Sequence, residues 1–124
     1  MKKEIADRWV AALRSGKYKQ GQYHLNDGNG NYCCLGVLCE LAKEDGIVTS
    51  SKFKLFDGPE VILYKDKTNS ESVSFLPAQV SYWAGIETSA AYSTKNRASL
   101  AALNDAGQTF EYIANVIEDE WETM

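Results

Sequence analysis

The run Asn31-Tyr32-Cys33-Cys34-Leu35-Gly36-Val37-Leu38-Cys39-Glu40-Leu41-Ala42-Lys43 is the most apolar stretch of the chain and the only one containing cysteine. At about 100° per residue on a helical wheel, Leu35, Leu38, Cys39 and Ala42 share one face, and Cys34, Val37 and Leu41 widen it. Only Gly36, Glu40 and Lys43 remain outside. A helix apolar over most of its circumference has to be covered on several sides. This segment, starting near Tyr32 and stopped by Asp45-Gly46, is therefore expected at the centre of the fold. Gly36 costs such a helix about 1 kcal/mol relative to alanine. A glycine retained at that cost implies another backbone passing close to the same turn.

The flanking segments supply the cover. Residues 3–15 carry Ile5, Trp9, Ala12 and Leu13 at helical spacing, and Gly16 ends that helix. Residues 18–25 read as extended, and residues 26–31, with Asp27-Gly28 and Asn29-Gly30, as a turn. Together they predict a short hairpin or strand-turn unit. Residues 53–56, 59–65 and 72–76 alternate or are β-rich, with a turn at 66–69, and predict a β-hairpin. Pro77 at N1 opens a short helix over 78–84, with Val80 and Trp83 as its apolar members and Gly85 closing it. Residues 88–94 read as a surface loop. Residues 99–103 predict one or two helical turns, broken by Asn104-Asp105-Ala106-Gly107. Thr109 caps a last helix whose stripe is Phe110, Ile113, Ala114, Ile117 and Trp121, with Glu111, Glu118, Asp119 and Glu122 opposite. The expected fold class is α+β: four or five helices packed around one small antiparallel sheet, with 1–124 as a single globular domain.

Charge and cysteine usage narrow the function classes. The net charge of −4 argues against broad binding to DNA or RNA polymers. No apolar run is long enough to span a membrane, and the first residues lack the apolar core of a signal peptide, so the chain is expected to be cytoplasmic. Three cysteines are an odd number for a disulfide framework. A zinc set of Cys33, Cys34, Cys39 and His24 fails on spacing, because Cys34 and Cys39 point about 140° apart on a helix. Buried structural thiols are expected, and no cofactor or metal. The single histidine and the lack of G-x-S-x-G, H-E-x-x-H or a P-loop argue against an enzyme. A His24 pair with Cys33 or Cys34 would need an exposed thiol of lowered pKa.

Two stretches have the chemistry of a ligand site. Around the first helix end, Arg14, Lys17 and Lys19 supply cations for phosphate, Tyr18 and Tyr23 could stack on a base, and Gln20 is a polar neighbour. The same residues would also serve as a polar connection whose tyrosine covers the core. Asn104 and Asp105 could read donor and acceptor edges, or simply form a turn and cap. Trp83, Tyr92 and Arg97 would extend a stacking wall, against core packing for Trp83 and plain surface for Arg97.

Three spaced motifs carry a resemblance: Trp9-x3-Leu13-x2-Gly16-x-Tyr18-x-Gln20-Gly21, Tyr32-Cys33-Cys34-Leu35-Gly36-Val37-Leu38-Cys39, and Leu103-Asn104-Asp105-x4-Phe110-x2-Ile113-Ala114-x2-Ile117. In these the chain resembles a widespread family of small bacteriophage proteins. The match covers both ends and leaves 47–92 unmatched. It also looks like phage counter-defence sponges that sequester the cyclic nucleotide signals of bacterial immune systems such as CBASS. That resemblance implies a non-enzymatic anti-defence protein, at work in the cytoplasm of an infected bacterial host, with a cyclic (di)nucleotide ligand held in a mostly preformed pocket. The ligand-binding residues would be Arg14, Lys17, Tyr18, Lys19, Gln20, Tyr23, Asn104 and Asp105, and a homo-oligomer is compatible with that role. The alternative is a protein–protein adaptor or inhibitor that sets its acidic C-terminal helix against a host factor.

Overall fold

The computed structural model describes residues 1–124. In chain order the elements are α1 (Lys3–Arg14), β1 (Lys19–Gln20), β2 (Asn31–Tyr32), α2 (Cys34–Glu44), β3 (Val48–Lys54), β4 (Glu60–Asp66) and β5 (Glu71–Ser72). They continue with α3 (Ala78–Ala84), β6 (Tyr92–Ser93), β7 (Ala98–Ser99), α4 (Leu100–Asp105), α5 (Phe110–Glu120) and a 3-10 turn, Trp121–Thr123. The fold is α+β in one domain: five helices, a three-stranded antiparallel sheet in the order β3-β4-β5, and two short two-stranded ladders.

Helix α2 is the axis of the core. Cys34, Leu35, Val37, Leu38, Cys39 and Ala42 have no exposed surface, and α1, α3, α4 and β3 lie against it. Burying a leucine or valine side chain fully contributes about 1.5–3 kcal/mol, so this one helix supplies much of the hydrophobic stabilisation. Gly36 meets the expectation placed on it. The passing backbone is that of Leu25, which is itself fully buried. Helix α1 buries Ile5, Ala6, Trp9, Val10 and Leu13, and the Trp9 indole donates to the Cys34 carbonyl at 2.9 Å. Its main partner is the last helix: α5 buries Phe110, Ile113, Ala114, Val116, Ile117 and Glu120.

Several local expectations are corrected. Helix α2 starts at Cys34 rather than near Tyr32, with Cys33 as its extended N-cap. The segments β1 and β2 run parallel, Lys19 opposite Asn31 and Gln20 opposite Tyr32, so they do not form a hairpin. The intervening chain is a long excursion that returns in the same direction, because Leu25 must reach the Gly36 turn. Strand β3 begins at Val48, and Leu55 and Phe56 fall in its turn rather than in a strand. Its Thr49, Ser50 and Ser51 lack an apolar alternation because that strand has little core behind it. Pro77 is the N-cap of α3 rather than its first residue. The stretch 88–94 is more than a surface loop. Ala91 and Ser93 are fully buried, and Tyr92–Ser93 pairs with Ala98–Ser99. Helix α4 runs through Asn104 and Asp105 instead of breaking there, and Gly107, at φ 97°, follows it.

Candidate functional site

The structure brings the two candidate stretches together. Gln20, on β1, donates from Nε2 to Asn104 Oδ1 (2.9 Å) and to the Gln108 carbonyl (2.8 Å), and its Oε1 accepts from the Phe110 amide at 3.1 Å. Asn104 Nδ2 donates to the Gly21 carbonyl at 2.8 Å, and Asn104 Oδ1 also accepts the Cys34 amide at 3.1 Å. That last bond has a clear cause. The first amides of a helix have no intrahelical partner, and the N-cap residue Cys33 makes no capping bond of its own. Asn104, fully buried, therefore caps the central helix from across the fold. Phe110 is the first residue of α5 and receives the same service from Gln20. Asp105 Oδ1 then accepts the Tyr23 amide at 2.8 Å. The side chains of Gln20 and Asn104 are thus taken up inside the protein.

Around this clamp the remaining candidates divide. Arg14, the last residue of α1, reaches across to α5: its Nη2 donates to Glu118 at 2.8 Å and Asn115 at 2.6 Å, and its Nε pairs with Glu111 at 3.3 Å. The hydrogen bond with Glu118 raises the Arg14 pKa and lowers that of Glu118. The acidic face of α5 is thereby partly engaged, since Lys95 also pairs with Asp119. Tyr18 packs edge-on against Tyr32, with ring centroids 5.2 Å apart, and the Lys17 ammonium sits 5.4 Å from the Tyr18 ring centre. Lys17 and Lys19 are exposed and form no ion pair. Tyr23 is 63% exposed and holds φ at 72°. Positive φ is uncommon for a bulky residue and is retained only where the surroundings impose it. Here the Asp105 bond to its amide is part of what imposes it.

None of the four surface cavities, about 170 to 310 Å³, is lined by Arg14, residues 17–20, Tyr23, Asn104 or Asp105. The largest, about 310 Å³, lies between the 26–31 turn and the β3-β4 hairpin and is lined in part by Gly28, Asn29, Lys52, Glu60 and Ile62. Its walls come from segments far apart in sequence, so no local motif announced it. Trp83 is half-buried with the Arg8 guanidinium 5.9 Å from its ring centre, while Tyr92 and Arg97 are exposed.

Buried titratable groups elsewhere have structural partners. Burial pushes the Cys33 thiol up to about 11, and Cys34 and Cys39 well above their ordinary value. A thiol of that kind is protonated at neutral pH and a poor nucleophile, so a His24–Cys33 pair lacks its reactive partner. Burial raises the Tyr64 hydroxyl, which donates to Glu40 at 2.6 Å and accepts from Asn26 Nδ2 at 3.1 Å. Two carboxylates hold turns: Asp66, in the turn read at 66–69, and Glu120, which no sequence pattern singled out. Asp66 accepts from Thr68, Ser70 and Gln79, and Glu120 accepts from Ser93, Thr94 and Lys95.

No curated protein and no solved structure shows a match to the chain. The sequence model of one family, described as Domain of unknown function (DUF8296), matches residues 1–121. The chain belongs to that family.

Proposed function

We propose that this protein is a non-enzymatic binding protein whose ligand is a cyclic nucleotide, held on the outer face of the clamped segment 17–23 and thereby sequestered as an immune signal in phage counter-defence. The observation that carries this reading is the state of Tyr23. Its ring is exposed at positive φ on a backbone fixed by Asp105, beside a segment that leaves Lys17 and Lys19 without acidic partners. An exposed ring on the same short segment as two cations without acidic partners is the kind of surface a base and its phosphates require. The motif resemblance supplies the ligand class. In this arrangement Gln20, Asn104 and Asp105 position the segment, and Arg14 joins it to α5. The site is an open face, so closure over the ligand would have to come from the ligand's own fit or from a second copy.

The test is calorimetric titration of the full chain with a panel of cyclic di- and trinucleotides, followed by chromatography of the released ligand. Binding of at least one member and its recovery intact are expected. Lys17→Ala/Lys19→Ala should weaken that binding by about tenfold to a hundredfold per lost charged contact, and added salt should weaken it further. Tyr23→Gly should lose affinity while melting no lower than the parent, because glycine accepts positive φ without strain. If no nucleotide in the panel binds, the sponge reading fails and the adaptor reading takes its place.

A further inference from the structure

Strand β3 is an edge of the three-stranded sheet, and its outer side is unpaired over most of its length. Which backbone groups are free follows from the register. The Leu55 amide bonds to the Pro59 carbonyl, so Leu55 and Pro59 are a hydrogen-bonded pair, and alternation makes Phe53–Val61, Ser51–Leu63 and Thr49–Lys65 the next such pairs. The intervening β4 residues confirm this phase: Ile62 and Asp66 turn their amides away from β3, to the Asn26 and Ser70 carbonyls. On β3 the corresponding residues are Ser50, Lys52 and Lys54. Their amides and carbonyls therefore point outward, and none has a partner within the protein. Their side chains share one face of the sheet with Ile62 and Glu60, where Lys52 forms one wall of the 310 Å³ cavity.

We propose that this edge is a docking site for an extended acidic peptide, which adds a fourth strand opposite Ser50, Lys52 and Lys54. Edge addition of this kind draws affinity from main-chain hydrogen bonds and specificity from alternate side chains. In antiparallel pairing, the peptide residues facing Ser50, Lys52 and Lys54 each exchange two hydrogen bonds with them. The two that face lysine put their side chains on the lysine face, directly opposite a cation. Aspartate or glutamate at alternating positions completes those pairs, since opposite charges directly across strands attract and like charges repel. Lys54 faces Glu60 on β4 without an ion pair, and its Nζ donates to the neutral Gly58 carbonyl, so its charge has no carboxylate partner within 4 Å. A second copy of the chain fits poorly. The self-pairing register that uses all three free residues sets Lys52 against Lys52 and Lys54 against Ser50. Lysines on an edge strand discourage such like-with-like pairing, and the same two charges favour an acidic strand.

The experiment uses a fluorescein-labelled octapeptide alternating glutamate with valine, and its counterpart with lysine in place of glutamate. Polarisation should report binding of the acidic peptide only. Amide hydrogen exchange at Ser50, Lys52 and Lys54 should be fast in the free protein and slowed by that peptide. Lys52→Pro should abolish binding yet keep the fold, because the Lys52 amide serves no β4 bond and proline is tolerated on an edge facing solvent. Lys52→Glu/Lys54→Glu should weaken the acidic peptide on the order of tenfold or more and admit the basic one. Equal binding of both peptides, or binding without protection of these three amides, overturns the proposal. So does an absence of binding. Self-association that protects the same amides and is lost on Lys52→Pro would assign the edge to a second copy instead.

Discussion

Replacing Gly36 with alanine sets two effects of opposite sign against each other. In an exposed helix the change would add about 1 kcal/mol of stability from propensity alone. Here the new Cβ would fall 2.5 Å from the Leu25 carbonyl carbon and 3.0 Å from its Cα, with the carbonyl oxygen nearer still. Carbon atoms prefer about 3.5–4.0 Å, so α2 and the Leu25 backbone must separate by about 1 Å or more. Neither side yields easily, because Leu25 and Leu35 are both fully buried. Overpacking of this kind costs about 1–3 kcal/mol. Moving Leu25 also strains the bond from its amide to Val73 (2.8 Å) and the neighbouring bond from Cys33 to His24 (3.3 Å), each worth about 0.5–1.5 kcal/mol. Against the propensity gain, the net loss is about 1–5 kcal/mol, centred near 3. At about 4 °C per kcal/mol for a domain of this size, Gly36→Ala should melt about 12 °C below the parent in a calorimetric or dichroism scan. A variant melting at or above the parent would mean that propensity wins, and would falsify the view that the Leu25 backbone holds this turn closed.

Asn104→Ala should cost about 2–4 kcal/mol in a denaturant titration, because the Cys34 amide would lose a buried partner and the Gly21 carbonyl a part-buried one, while the Gln20 amide would keep the Gln108 carbonyl; a loss under about 0.5 kcal/mol, typical of surface changes, would show that the clamp is not needed. Acid stability should depend on Glu120 and Asp66. Burial alone would raise both carboxyls, but the hydrogen bonds they accept outweigh it and hold both below their ordinary values of 4.5 and 3.8. Their contribution is therefore full above about pH 4.5 and is lost as pH falls through the lowered values. Glu120→Gln should flatten that decline in melts at stepped pH, and an unchanged slope would assign it to other groups. Finally, Cys33, Cys34 and Cys39 should resist a thiol reagent at pH 8 in the native protein and react together on unfolding; a fast phase from any one of them would show that it is accessible.

What could be read from residue order was whatever depends on near neighbours. The wheel of 31–43 placed α2 in the core, and the stripes of α1 and α5 fell on their buried faces because helical periodicity reports a one-sided environment directly, except that Trp121, read as the end of the last stripe, lies half-buried in the 3-10 turn. Gly36 implied a close backbone without saying whose. The parallel pairing of Lys19 with Asn31 was not legible, since its direction is set by where Leu25 must lie in space. Strand β3 was half-seen because Thr49, Ser50 and Ser51 have no buried partner to impose alternation. At the candidate site, Gln20 and Asn104 were recognisable as polar residues in a notable setting. Their use, capping two helices at sequence separations of 70 and 90 residues, belongs to tertiary structure. Glu120 carried no sign at all, as it sits among acidic neighbours that face solvent.

The pairing of the first helix with the last bears on how the chain acquires its structure. Helix α1, residues 3–14, has its main partner in α5, residues 110–120, and the bonds from Gln20 to Asn104 and Phe110 span the same interval. During synthesis α2 can cover Trp9 early, through the bond to the Cys34 carbonyl, but the side of α1 that meets α5 stays uncovered until residues 110–120 have left the ribosome. Closing so long a loop precedes the contacts that reward it, which slows folding relative to a helical bundle with local contacts. The waiting nascent chain is the stage most exposed to aggregation.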